Sequence, residues 1–150
     1  KAFEKTNGFS KMKIGEDIDL TFRLWENNFE TQFIQNAFVY HKRRSTFKQF
    51  YKQTFAFGQG RPFLNKKYPK TKKITYWFPT VFVGFTLISP LFGMLFSAFF
   101  LIPIVLYLTI IFVDSLLRNK KIMVAITSVI TTIIQFFGYG LGFLKGLIKN

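Results

Sequence analysis

Cysteine is absent from the 150 residues, which excludes a disulfide framework, a thiol nucleophile and a Cys-ligated metal. Histidine occurs once, at His41. Acids number seven against 21 Lys and Arg, and none lies between residues 31 and 73. Charge of either sign is missing from residues 74–113 and again from 122–144, runs of 40 and 23 residues. A water-soluble fold has no use for such runs, whereas about 20 apolar residues make one membrane-spanning helix. A phosphate-binding Gly-rich loop, a Ser nucleophile elbow and a zinc-protease helix are also missing, and Gly58-Gln59-Gly60-Arg61 is too short for a dinucleotide fingerprint. Residues 1–13 carry neither an apolar leader segment nor an initiating Met. The chain reads as the C-terminal piece of a longer protein.

What is present is unevenly placed. Hydrophobic residues make up 49%, an ordinary share, so their position rather than their number is informative. Residues 1–30 carry a net charge of −1, residues 31–73 of +11 and residues 114–150 of +4. The +11 block abuts the first apolar run, which points to membrane lipids as its partner and not to nucleic acid. Three zones follow: 1–41, folded α/β material; 42–73, a basic amphipathic interfacial helix and linker; and 74–150, a membrane region of two to three helices.

In the first zone, Ile18, Phe22, Trp25 and Phe29 recur at helical spacing, widened by Leu20 and Leu24. Asp17 and Asp19 suit the positive end of that helix's dipole. Thr31–Gln35 and Ala37–His41 are expected to form two short strands around Asn36. In the second zone, Thr46 and Gln49 have capping-box spacing, and Phe47, Phe50, Tyr51 and Phe55 form an aromatic stripe. The helix they predict ends at Gly58 and Gly60. Either it lies on the bilayer or it packs on its own domain.

Forty helical residues reach about 60 Å, twice a hydrocarbon core of about 30 Å, so residues 74–113 hold two spans. They are expected at about 74–92 and 94–113, broken near Ser89-Pro90 to Gly93. The basic segments Lys66–Lys73 and Arg118–Lys121 are both expected on the cytoplasmic side. A third segment, 122–144, holds Thr127, Ser128, Thr131, Thr132 and Gln135, and reads as a span or a re-entrant piece. Gly138, Gly142 and Gly146, each four apart, have the spacing that lets two helices approach closely.

The densest reactive cluster is Gly15-Glu16-Asp17-Ile18-Asp19-Leu20. Three acids in four positions repel one another, an arrangement that suits a general base and equally a solvated helix cap. His41 closes a predicted strand; one His with acids some twenty residues upstream falls short of a ligand set.

These residues resemble a known pattern. Asn7-Gly8-Phe9, then Gly15-Glu16-Asp17-Ile18-Asp19-Leu20-Thr21-Phe22-Arg23-Leu24, is similar to the second half of a family 2 (GT-A fold) glycosyltransferase, with Asn7 in place of the first Gly of the turn. Asn36–Ser45, with His41-Lys42-Arg43, resembles the family's strand ending in His-x-Arg. The stretch from Gln53 to Gly58-Gln59-Gly60-Arg61 resembles its Gln-to-Gly-x-x-Arg segment, and differs from the Gln-x-x-Arg-Trp box of processive synthases. The resemblance spans residues 1–73.

It implies a fold, the α/β C-terminal part of a GT-A (nucleotide-diphospho-sugar transferase) domain followed by an α-helical membrane domain. It implies an inverting, membrane-bound transferase of cell-surface glycan synthesis, in the plasma or inner membrane with its catalytic part cytoplasmic. The partners implied are a nucleotide-sugar donor and a glycan or lipid-linked acceptor. Asp17 would be the general base, with Glu16 shaping the acceptor pocket beside it. Asp19, Gly8, Phe9, Gln53, Arg43, Arg44 and Arg61 would bind substrate, the three Arg holding the diphosphate. His41 would ligate a divalent metal, Mg or Mn. The family's Asp-x-Asp donor motif is not among these residues, so the fragment is expected to be inactive alone. The competing class is a non-enzymatic basic membrane scaffold or transporter subunit.

Overall fold

The computed structural model describes residues 1–41 and 45–149. Six helices follow in order: α1 (Ala2–Lys5), α2 (Glu16–Glu26), α3 (Phe47–Lys67), α4 (Phe78–Leu95), α5 (Ile102–Asn119) and α6 (Ile122–Lys149). Short 3₁₀ turns at Pro69–Thr71, Ile74–Trp77 and Ala98–Leu101 link them. No strand occurs among the described residues. The architecture is a helical bundle, which corrects the α/β GT-A expectation.

The physical reason lies in residues 31–41. A strand is stable only when a neighbour takes up its N–H and C=O groups. Here Phe33, Val39 and Tyr40 are 87–95% exposed or nearly so, at 88%, 87% and 95%. Among the described residues the stretch makes a local turn instead, Ala37 N–H donating to the Ile34 carbonyl. Alternating apolar residues without a ladder partner form no strand.

Helix α3 starts where its capping pattern says. The Thr46 hydroxyl accepts from the Gln49 N–H at 3.3 Å. It does not stop at Gly58 and Gly60, however, but continues through Pro62 to Lys67. Those small residues serve packing instead. The Thr54, Gly58 and Pro62 face is buried against α6, whose Gly138, Gly142 and Gly146 are buried in return. A methyl group on Gly142 would run into the Phe55 carbonyl, and one on Gly58 into the Tyr139 carbonyl. The two backbones are therefore close enough to touch, as small residues four apart permit. The Phe47–Phe55 stripe consequently borders a protein seam, with the Tyr51 and Phe55 carbonyls against α6.

Three segments are long and apolar enough to cross a membrane: Ile74–Leu95, Ala98–Asn119 and Ile122–Lys149. The chain is a membrane protein. Helix α4 runs through Pro90, and the break falls later, at residues 96–97. Helix α6 is the shared partner. Phe78 and Phe82 stack on Phe136, and the Thr80 hydroxyl donates to the Gly140 carbonyl at 3.3 Å. Tyr107 meets Phe136 and Ser115 bonds Ser128 at 2.9 Å, so α5 runs antiparallel to α6.

Helices α4 and α5 turn back on each other, Phe92 meeting Phe100 and Phe82 meeting Tyr107. Trp77, just after Lys73, packs edge-to-face on Phe143, with ring centroids 5.0 Å apart. Lys121, by contrast, immediately precedes α6. At 1.5 Å per residue, the two levels are about 30 Å apart along α6. Lys66–Lys73 and Arg118–Lys121 thus sit at opposite ends of α6. Lys145 and Lys149 share the end of Lys66–Lys73.

Candidate functional site

The start of α2 is set by Gly15. Its φ of +78° is left-handed, and a Cβ there would lie 3.2 Å from Leu64 Cδ1. Glycine meets both demands, the backbone angle and the tight approach to α3. Glu16 and Asp17 follow in the first turn and are exposed, while Asp19 is wholly buried.

Two residues apart, the carboxylates of Asp17 and Asp19 have different surroundings. Lys67 Nζ reaches Asp19 Oδ1 at 2.5 Å and the Tyr68 hydroxyl donates to the same oxygen at 2.7 Å. Arg23 Nε donates to Oδ2 at 2.9 Å. The same guanidinium donates to the Thr6 carbonyl and, at 2.6 Å, to the Gly8 carbonyl. Burial alone would raise the Asp19 pKa; the hydrogen bonds, foremost from Lys67 and Tyr68, outweigh it and hold the carboxyl at about 2. Asp19 likewise raises the pKa of Lys67 and, together with burial, that of Tyr68. Saturated on both oxygens, Asp19 ties the Thr6–Gly8 turn, α2 and the end of α3 together.

Asp17 opens onto two clefts. One, of about 700 Å³, is lined by Phe9, Glu16, Lys52 and Gln53 among others. The second, of about 250 Å³, adds Ile18, Arg61, Tyr76 and Tyr139. Gln53 also lines a third, of about 590 Å³, which holds His41, Thr46 and Thr131. Asp17 is common to the first two clefts, and Gln53 to the first and third.

Arg61 is held in place on its cleft wall. Its guanidinium carbon sits 3.6 Å from the Tyr76 ring centroid, Nε donates to Asn65 Oδ1 at 3.1 Å, and a terminal nitrogen donates to the Thr71 carbonyl at 3.3 Å. No carboxylate pairs with it among the described residues. An oriented cation without a counter-ion suits an anionic group. Gly8 is buried with φ +62°, turning its carbonyl to Arg23, and Phe9 beside it is exposed on the larger cleft. Arg43 and Arg44 lie outside the described residues.

Residues 1–114 match the family model described as Glycosyl transferase family group 2. The chain belongs to this family. No curated protein and no solved structure gives a match. The glycosyltransferase match reaches past α3 through α4 and most of α5, and leaves α6 outside it. The α3–α6 seam therefore joins a matched helix to an unmatched one.

The glycosyltransferase expectation of Mg or Mn on His41 finds no cage in this geometry. Among the described residues, no three of His, Cys, Asp and Glu come together where they would hold a cation. The described neighbours of His41 in its cleft offer hydroxyls and an amide but no carboxylate.

Sequence reasoning missed Lys67, Tyr68, Tyr76 and Tyr139. Lys67 and Tyr68 are 48 and 49 positions from Asp19, in a basic stretch where each Lys looks like the next. Arg23 was visible only as part of the motif. Its spacing of four from Asp19 is the one local clue to the pair.

Proposed function

We propose that this chain carries the acceptor side of an inverting glycosyl transfer from a nucleotide-sugar donor to a membrane-proximal or lipid-linked acceptor, in cell-surface glycan synthesis. The observation that carries the reading is Asp17: exposed, unpaired among the described residues, and on the wall of two clefts that also hold Gln53 and Arg61. Asp17 takes the proton from the acceptor hydroxyl as that oxygen attacks the anomeric carbon. The bond from that carbon to the diphosphate oxygen breaks, and the nucleoside diphosphate leaves with the electron pair. One displacement inverts the anomeric centre. Arg61 offsets the charge growing on the leaving group, joined by Arg43 and Arg44. Glu16 and Phe9 shape the acceptor cleft, while Asp19 and Gly8 hold its wall in place. His41 supplies at most one ligand to a donor-borne Mg or Mn.

The basic end of the bundle, with residues 1–73, Lys145 and Lys149, supports a cytoplasmic catalytic side in the plasma or inner membrane. Asp17→Asn in the enzyme carrying this chain is expected to lower transfer by about 10²–10⁴ with membrane insertion unchanged. Turnover within a few-fold of the parent would overturn the assignment.

A further inference from the structure

A separate cleft of about 520 Å³ lies on the other side of the loop before α2, where residues 11–14 meet α3 and the end of α6. Lys11, Lys13 and Lys149 surround it, and Met12, Ile14 and Phe63 give it an apolar floor. All three lysines are exposed. None has an ion pair or hydrogen bond among the described residues. No acid lines the cleft. Three cations converging without a counter-ion repel one another unless an anion joins them.

We infer that this cleft binds the phosphate headgroup of an anionic phospholipid, with the first part of an acyl chain lying along Met12, Ile14 and Phe63. Depth along α6 selects a lipid. Trp77, in the first turn of the apolar run Ile74–Leu95, packs edge-on against Phe143, and Trp gathers at the membrane–water boundary; Lys149 lies six residues beyond Phe143, on the headgroup side of that level. The cleft thus begins where the hydrocarbon ends. The floor and the cations together match an amphiphile, whereas a free phosphate would use only the cations. Lys13 and Ile14 also line the cleft that holds Asp17, so a bound lipid would border the proposed acceptor site without forming part of it.

The test uses the whole chain in detergent, melted with and without short-chain phosphatidylglycerol, short-chain phosphatidylcholine or glycerol phosphate. A ligand bound to the folded state raises the melting temperature. Phosphatidylglycerol is expected to raise it, and the other two are not. K11Q/K13Q/K149Q is expected to melt like the parent without lipid, since these side chains have no partners to lose. It should need roughly a hundredfold more phosphatidylglycerol for the same shift. K11R/K13R/K149R, which keeps the charge, should respond like the parent. Lys48 and Lys52, elsewhere on α3, provide a control: K48Q/K52Q should keep the full response. An undiminished shift in the triple Gln variant, an equal shift with phosphatidylcholine, or an equal shift with glycerol phosphate would each overturn the assignment. Labelled phosphatidylglycerol retained by the parent and lost by the folded triple variant provides a second readout.

Discussion

Helix α3 has two neighbours, and it is joined to them by opposite chemistry. Towards α2, a single buried carboxylate gathers Arg23, Lys67 and Tyr68. Towards α6, there is almost no polar chemistry, only backbones brought into contact by glycines. The first junction is strong in each bond and depends on every partner being present, because an unpaired buried charge is costly. The second is a sum of many weak contacts that a single methyl group disrupts. A family-matched segment is thus clamped to the rest of its own match by charge and to the unmatched α6 by shape.

The largest expected effect breaks the charged junction. Asp19→Ala removes the carboxylate and leaves Arg23 and Lys67 facing each other without a counter-ion. Destabilisation of about 3–5 kcal/mol is expected, read as thermal unfolding in detergent. Asp19→Asn keeps the shape and should fall between Ala and the parent. A loss in Asp19→Ala no larger than that of an exposed-residue substitution would show that the junction is not held by charge.

The glycine seam should be less sensitive but more specific. Gly142→Ala pushes a methyl into the Phe55 carbonyl and is expected to cost about 1–3 kcal/mol. Gly84→Ala, in α4, meets nothing within 4 Å and should be neutral or mildly stabilising. Equal effects at the two positions would remove the seam from the comparison.

Acid should separate the junctions without any substitution. Asp19 is held at about 2 against an ordinary 3.8. A depressed carboxyl contributes its stability above the ordinary value and loses it as pH falls towards the folded one. About 2 kcal/mol should therefore be present at pH 5 and above, and disappear between roughly pH 4 and 2. Lys67, shifted upwards, keeps its contribution at least to its ordinary value of 10.5. The parent should show the acid loss and Asp19→Asn should not. An identical acid limb in both would assign it to other groups.

The two junctions were not equally visible in the sequence. Gly138, Gly142 and Gly146 were legible because a helix repeats every three to four residues, so a packing face is written locally. The Thr46 cap was legible for the same reason. The Asp19 cluster was not, because Lys67 and Tyr68 are far away in sequence and nothing marks them out from Lys66 or Lys70. Residues 31–41 misled for a related reason: alternation shows what a strand would bury, but not whether a neighbouring strand exists. Asp17 and Gln53 were picked out by motif, and the structure adds that both line one cleft.

The smallest expected effect concerns Gly15, which starts α2 at the charged junction. Its φ of +78° costs a side-chain-bearing residue about 1–2 kcal/mol, so Gly15→Ala should destabilise by about 1 kcal/mol. Gly15→Asn should cost less, because Asn tolerates the left-handed region. The nearest atom to the new Cβ is Leu64 Cδ1 at 3.2 Å, so Leu64 would have to give by a few tenths of an ångström. Ala and Asn present the same Cβ to Leu64, so the difference between them isolates the backbone angle from the contact. A smaller loss for Asn than for Ala shows that the angle matters. Equal losses show that contact with α3 matters instead, which would make the α2–α3 junction partly a matter of shape, like the seam on α6.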